Sequence, residues 1–150
     1  MSTSPTSQNT YQQTVAVQKT AQSANNDFKY LVTMKDGLHE LGPIATAAGN
    51  AMNTQDYSTA KTLSAKLSTR SQYWYNEVAP LSVSSKYQES KDAYLICLSE
   101  MKAGGDTTVE AIQLLQGGKK SAYTDKGNEA LQHLNKATIY LNLAVAEIPA

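Results

Sequence analysis

The chain holds one cysteine, one phenylalanine, one tryptophan and one arginine, and each scarcity removes a class of explanation. With Cys97 alone no internal disulfide can form, so a core and not a set of staples has to hold the fold. Cys97 lies between Ile96 and Leu98 with no histidine or basic residue beside it, the setting of a buried, inert thiol. Arg70 is the only arginine, and among thirteen basic and thirteen acidic residues nothing clusters beyond Lys119-Lys120. This argues against nucleic acid and against an anionic membrane surface as partners. No apolar run approaches the roughly 18–20 residues of a spanning helix. Also missing are a phosphate-cradling glycine loop, CxxC, CxxCH, HExxH and the GxSxG elbow. No enzyme activity and no cofactor are therefore expected.

What is present suits one globular domain. At 150 residues with 41% apolar content the chain can bury a real core without metal or disulfide. Ser2–Asn9 (STSPTSQN) is a Ser/Thr/Pro stretch that buries nothing, so residues 1–9 read as a flexible linker and 10–150 as the domain. A linker directly after Met1, with many uncharged polar residues, suits an extracytoplasmic domain from which an export signal or lipid anchor has been removed.

Helical spacing dominates and alternating β-branched runs are missing, which predicts an all-α fold. In the last segment Tyr123, Gly127, Ala130, Leu134, Ala137, Leu141, Ala144 and Ile148 step by four and three, with Pro149 at the end. The first segment repeats Val17, Ala24, Leu31, Leu38, Ala45 and Met52, seven apart, and these positions are expected to form its buried seam. Gly42-Pro43 should kink or briefly break it, because proline removes a hydrogen bond and crowds the preceding turn. Asp56 is a candidate N-cap for a second helix carrying Ala60, Leu63, Leu67, Trp74 and Val78 and ending before Pro80. Ser82, Ser84 and Ser85 offer capping oxygens to a third. Its stripe Tyr94, Leu98, Met101, Gly105, Thr108, Ile112 and Leu115 keeps one register across Gly104-Gly105, predicting a continuous helix that stops at Gly117-Gly118. Short links then favour an antiparallel up-down-up-down four-helix bundle, with helix one long and kinked near Pro43. At 1.5 Å per residue, Leu38, Arg70, Gly105 and Leu134 share about one height. Residues before about Ala21 overhang the other helices, where exposed Val15 and Val17 would favour a second copy and hence a homodimer.

Three constellations could carry chemistry. His39 and His133, the only histidines, fall at similar heights on helices one and four, with Asp36 and Glu129 nearby. Facing imidazoles and carboxylates build metal sites in bundles, but Asp-x-x-His and Glu-x-x-x-His depart from the paired Glu-x-x-His of di-iron proteins. Both histidines also stand about 100° from their seam centres, where solvated boundary histidines are the plainer reading. Gly104 and Gly105 remove side chains opposite Tyr73, Trp74 and Tyr75 of helix two. Such glycines either seat an aromatic ring or leave a ligand pocket, and close packing favours seating by Trp74. Finally, nine tyrosines suit bundle boundaries and equally a binding surface.

The stretch from Pro80 to Leu143, carried by LSVSSKYQESKDAYLICLSEMKAGG and ALQHLNKATIYLNLA, resembles the second half of helical domains in exported or lipid-anchored proteins of archaea and some bacteria. The resemblance implies a surface-exposed location and no particular activity. The expectation is a non-enzymatic, extracytoplasmic bundle that binds a protein partner or small ligand. The alternative is a metal- or cofactor-binding bundle using His39 and His133.

Overall fold

A computed structural model describes the backbone from Pro5 to Ala150, and the side chains at Gln18 and from Ala21 onward. Four helices follow one another: α1 (Pro5–Asn53), α2 (Tyr57–Val78), α3 (Ser85–Gln116) and α4 (Lys120–Ala146). They form an all-α bundle in which α2 packs on α1, α3 on α2 and α4 on α3. Residues 5–9 of the expected linker thus fall inside α1, and residues 1–4 lie outside the described residues. The side chains of Val15 and Val17 also lie outside them.

The seam of α1 is displaced by one residue from the expected one. Its buried line is Asp27, Tyr30, Met34, Gly37, Leu41, Ile44, Ala48 and Ala51, whereas Leu31, Leu38, Ala45 and Met52 are only half-buried along one side of it. The shift was hidden because the true centre contains an aspartate, a tyrosine and a glycine. α1 is not broken at Gly42-Pro43: the helix is continuous there, and the buried line stays in phase through Leu41, Ile44 and Ala48. Pro43 is exposed, so the carbonyl it leaves unpaired, that of His39, lies on the solvent side of the helix where water can bond it.

The links are built by named contacts. Asp56 caps α2 by accepting from the Thr59 amide at 3.3 Å. After α1 the Asp56 amide reaches back to the Ala51 carbonyl (2.8 Å) and the Gln55 amide to that of Met52 (3.1 Å), with Gln55 at φ 59°. After α3 the same double bond recurs, Lys119 to Leu114 (2.9 Å) and Gly118 to Leu115 (3.0 Å), with Gly118 at φ 76°. Between α2 and α3 the chain is held from outside. Asp27 of α1 is buried and accepts both the Ser84 amide and the Ser84 hydroxyl at 2.7 Å. The Ser84 hydroxyl is therefore spent on Asp27 and does not cap α3. Buried Lys91 donates to the carbonyls of Ala79 (3.0 Å) and Leu81 (2.6 Å), placing its charge where the C-terminal end of α2 is negative.

α3 is one helix across Gly104-Gly105, as its unbroken stripe predicts. Both glycines are buried because neighbouring helices press on them. A Cβ at Gly105 would lie 2.5 Å from the Ser64 carbonyl oxygen and 3.0 Å from the Ser68 amide nitrogen; one at Gly104 would lie 2.6 Å from Leu134. The face of α2 toward α3 is accordingly small and polar, with Ser64, Ser68 and Ser71 all buried. α4 presents its own small line, Ala130, Ala137 and Ala144, to α3. Close approach at these levels needs small side chains on both partners.

Candidate functional site

The bundle closes on three sides and not on the fourth. Among the described residues no Cα of α1 comes within 8 Å of a Cα of α4, although packed helix axes usually run 8–10 Å apart. Polar links follow the same division. α1 and α2 are tied by Arg70, whose Nε donates to Glu40 at 2.7 Å and whose Nη2 donates to it at 3.2 Å, with the Trp74 indole donating to the same carboxylate. This Arg70 contact holds the Glu40 carboxyl below its ordinary range; partial burial opposes it and the Trp74 bond adds to it. α3 and α4 are tied by Glu100, which faces His133 at 2.6 Å and Lys136 at 3.5 Å, and by Lys126 bridging Glu110 and Glu129. No ion pair joins α1 to α4 among the described residues.

The open side is a groove. At one end it deepens into a cleft of about 420 Å³, within the range of small-molecule sites. One wall is α1 (Ala45, Gly49, Met52), the other is α4 (Tyr123, Gly127, Leu131, Leu134), and the floor is Ser64, Leu67, Gly104, Gly105 and Thr108 of α2 and α3. Not one lining residue is charged, in a chain with twenty-six charged residues (thirteen of each sign). Tyr123, Asn53, Asn128 and Thr124 supply neutral hydrogen-bonding groups. The glycines divide by role: Gly104 and Gly105 are in contact, whereas a Cβ at Gly49 or Gly127 would meet nothing within 4 Å. The cleft is therefore bounded by packed backbone below and by missing side chains at the sides.

No family model, no curated protein and no solved structure matches this chain. The arrangement of the site consequently rests on its own geometry.

Of the residues singled out in the sequence, Gly104 and Gly105 line this cleft, but Trp74 and Tyr73 do not. Trp74 stands further along α2, where it packs on Gly37 of α1: a Cβ there would lie 3.1 Å from the indole and 2.7 Å from the Tyr94 hydroxyl. Seating of an aromatic ring on a glycine does occur, on Gly37, while Gly105 is occupied by the α2 backbone. Tyr73 is partly exposed, edge-on to Trp74, with the Arg70 guanidinium 4.1 Å above its ring.

The metal constellation is not assembled. His39 is exposed, as is Asp36, while His133 is turned to α3 and Glu100, with Glu129 of its own helix 4.0 Å away. The two histidines serve different faces: His39, midway between buried Gly37 and Leu41, points away from the buried line of α1, whereas His133 points to α3. Among the described residues no three His, Cys, Asp or Glu side chains converge as metal ligands would. Cys97 is buried, and burial pushes its thiol up to about 12. No described helix is long and apolar enough to cross a membrane.

Sequence reasoning missed the groove walls. Leu31, Leu38, Ala45 and Met52 on α1, and Leu134 and Leu141 on α4 with Ile148 just after it, carry the apolar repeat of a seam, and they read as one. Nothing in the repeat reveals that the two seams fail to meet.

Proposed function

We propose that this chain is a non-enzymatic binding domain whose site is the cleft between α1 and α4, and that the cleft takes the uncharged, apolar body of a small molecule. The observation that carries this reading is the uncharged lining combined with open space beside Gly49 and Gly127. An apolar group entering the cleft loses water-exposed surface without stripping water from any ion, so burial is favourable at about 25 cal/mol per Å². The neutral amide and hydroxyl groups at the edge orient the ligand. The cleft contains no carboxylate, amine or imidazole to move protons, and its one ionisable side chain, Tyr123, has its hydroxyl pushed upward by burial and by the adjacent Tyr57. An extracytoplasmic location is part of the proposal, supported by the composition and by the resemblance of Pro80–Leu143 to exported helical domains.

The test is titration with Nile red, a neutral fluorophore that brightens in apolar sites. Saturable binding at one site is expected, with Gly49→Leu and Gly127→Leu each weakening it about tenfold or more while thermal unfolding stays as cooperative as before. Binding that is unsaturable, or equal in both filled variants, overturns the reading.

A further inference from the structure

The uncharged cleft is only one end of the groove between α1 and α4, and the other end has a different character. There Leu31, Met34 and Leu38 of α1, Val145 of α4 and Ile148 just beyond it enclose a second, shallower depression, and Lys35 and His39 stand in its lining. No carboxylate belongs to that lining, and neither Lys35 nor His39 forms an ion pair among the described residues. Beneath it three helices are pinned together. The Tyr30 hydroxyl meets Ser90 Oγ at 2.7 Å, and Ser90 Oγ donates to the Ala144 carbonyl at 2.7 Å. The depression therefore has a fixed floor.

The two ends lie along the same pair of helix edges. The α1 edge runs Lys35, Gly42, Gly49 and the α4 edge runs Val145, Thr138, Leu131, each seven residues apart and thus in line along a helix packed as a bundle member. Lys35 and Val145 line the shallow end, and Gly49 and Leu131 line the deep cleft. The level between them is Gly42, whose missing Cβ would meet nothing within 4 Å, opposite exposed Thr138, whose hydroxyl is spent on the Leu134 carbonyl at 3.1 Å. From Lys35 to Gly49 is about 21 Å along the helix, at 1.5 Å per residue. The groove is thus long, with an uncharged lining at its deep end and Lys35 and His39 in the lining of the other.

From this we infer that the ligand is a free long-chain carboxylic acid, lying along the groove with its tail in the cleft at Gly49 and Gly127 and its carboxylate at Lys35 and His39. The inference rests on the proposal that the cleft binds apolar molecules, and adds to it the length of the ligand and the sign and place of its charge. A shorter acid would leave the deep cleft empty. An uncharged chain would leave the Lys35 ammonium without a partner, and a phospholipid brings a second chain that the single channel does not hold.

Displacement of Nile red separates the two claims. Palmitate is expected to displace the dye about fivefold more tightly than cetyl alcohol, a margin typical of a half-exposed ion pair. Butyrate is expected to leave the dye bound, and the protein is expected not to float with phosphatidylcholine vesicles, a readout that does not use the dye. Lys35→Glu should lower palmitate affinity to that of the alcohol or below while leaving Nile red in the deep cleft unchanged, and Lys35→Arg should restore it. Gly42→Leu, placed in open space, should weaken palmitate more than Nile red because it blocks the channel between the two ends. Equal displacement by palmitate and cetyl alcohol, with no effect of Lys35→Glu, overturns the carboxylic acid and leaves the cleft standing. Flotation of the protein with the vesicles also overturns it. If Nile red itself does not bind at one site, the cleft reading fails first, and direct calorimetry with palmitate then decides whether the acid binds at all. No heat overturns both.

Discussion

Two pairs of glycines in this bundle do opposite things with the same missing side chain. At Gly104-Gly105 the absence lets α2 and α4 reach the backbone of α3, so that the Ser64 carbonyl and Leu134 stand where side chains would be. At Gly49 and Gly127 the absence is not filled, and the space it leaves is the side of the cleft. Glycine in a helix weakens it by about 1 kcal/mol relative to alanine in either case. On the closed side, close helix contact offsets that cost. On the open side nothing among the described residues does.

Substitutions can break or sharpen this contrast, beginning with its core. Gly105→Ala places a methyl against backbone atoms that cannot move independently, so a loss of about 2–3 kcal/mol is expected, near 5–10 °C in Tm. A melt unchanged by this variant would mean that the α2–α3 contact is not as close as described. Asp27→Ala comes next. It leaves the Ser84 amide without its buried acceptor, and about 2 kcal/mol should be lost in chemical denaturation, without any change in the groove. On the open side the sign reverses: Gly127→Ala should raise stability by up to about 1 kcal/mol, because the helix gains and nothing is crowded. Loss of stability there would show the groove to be closed.

Two turns of the same type sharpen the comparison further. Gly118 adopts its left-handed conformation freely, whereas Gln55 does so with a Cβ. Gln55→Gly should therefore add about 0.5 kcal/mol, read as a small rise in Tm. The smallest effect concerns pH. The Glu147 carboxyl is raised above its ordinary value of 4.5 by the Glu89 side chain beside it. A raised carboxyl in the folded state means that stability is present below that ordinary value and falls as pH rises through the folded one. Glu147→Gln should thus raise Tm slightly at neutral pH and leave it unchanged in acid. Glu40 has the opposite sign. Its lowered carboxyl adds stability above 4.5 that is lost as pH falls, so Glu40→Gln should lower Tm at neutral pH and converge with the parent in acid.

Much of the architecture is legible in the residues. The three-four stepping from Tyr123 describes a helix buried along one seam that alternates alanine with larger residues, and α4 buries Ala130, Ala137 and Ala144, although it ends at Ala146 and not at Pro149. The unbroken register across Gly104-Gly105 describes one helix, and α3 is one. Asp56 and the Gly117-Gly118 pair mark ends that exist for the local reasons such residues mark ends. The centre of α1 was harder to read, since Asp27, Tyr30 and Gly37 are not residues an apolar count selects. Their places follow from distant partners: Ser84, Ser90, and the Trp74 and Tyr94 side chains. The serines of α2 were passed over for a similar reason. Ser64 and Ser68 are buried for their size, which becomes meaningful only once Gly105 lies opposite.

The candidate site was half visible. Gly104 and Gly105 stood out as missing side chains, but the aromatic expected to face them packs on Gly37 instead, because position along α2 and not composition decides which glycine an indole meets. His39 and His133 share a height and do not share a face. Periodicity and capping thus determined by themselves that this protein is a four-helix bundle, since both depend on neighbours within a few residues. Which faces meet was decided only in the tertiary structure. The apolar flanks of α1 and α4 are separate stretches of chain whose repeats say that each wants cover. Whether they cover one another depends on the spacing that α2 and α3 impose between them, and here that spacing leaves a groove.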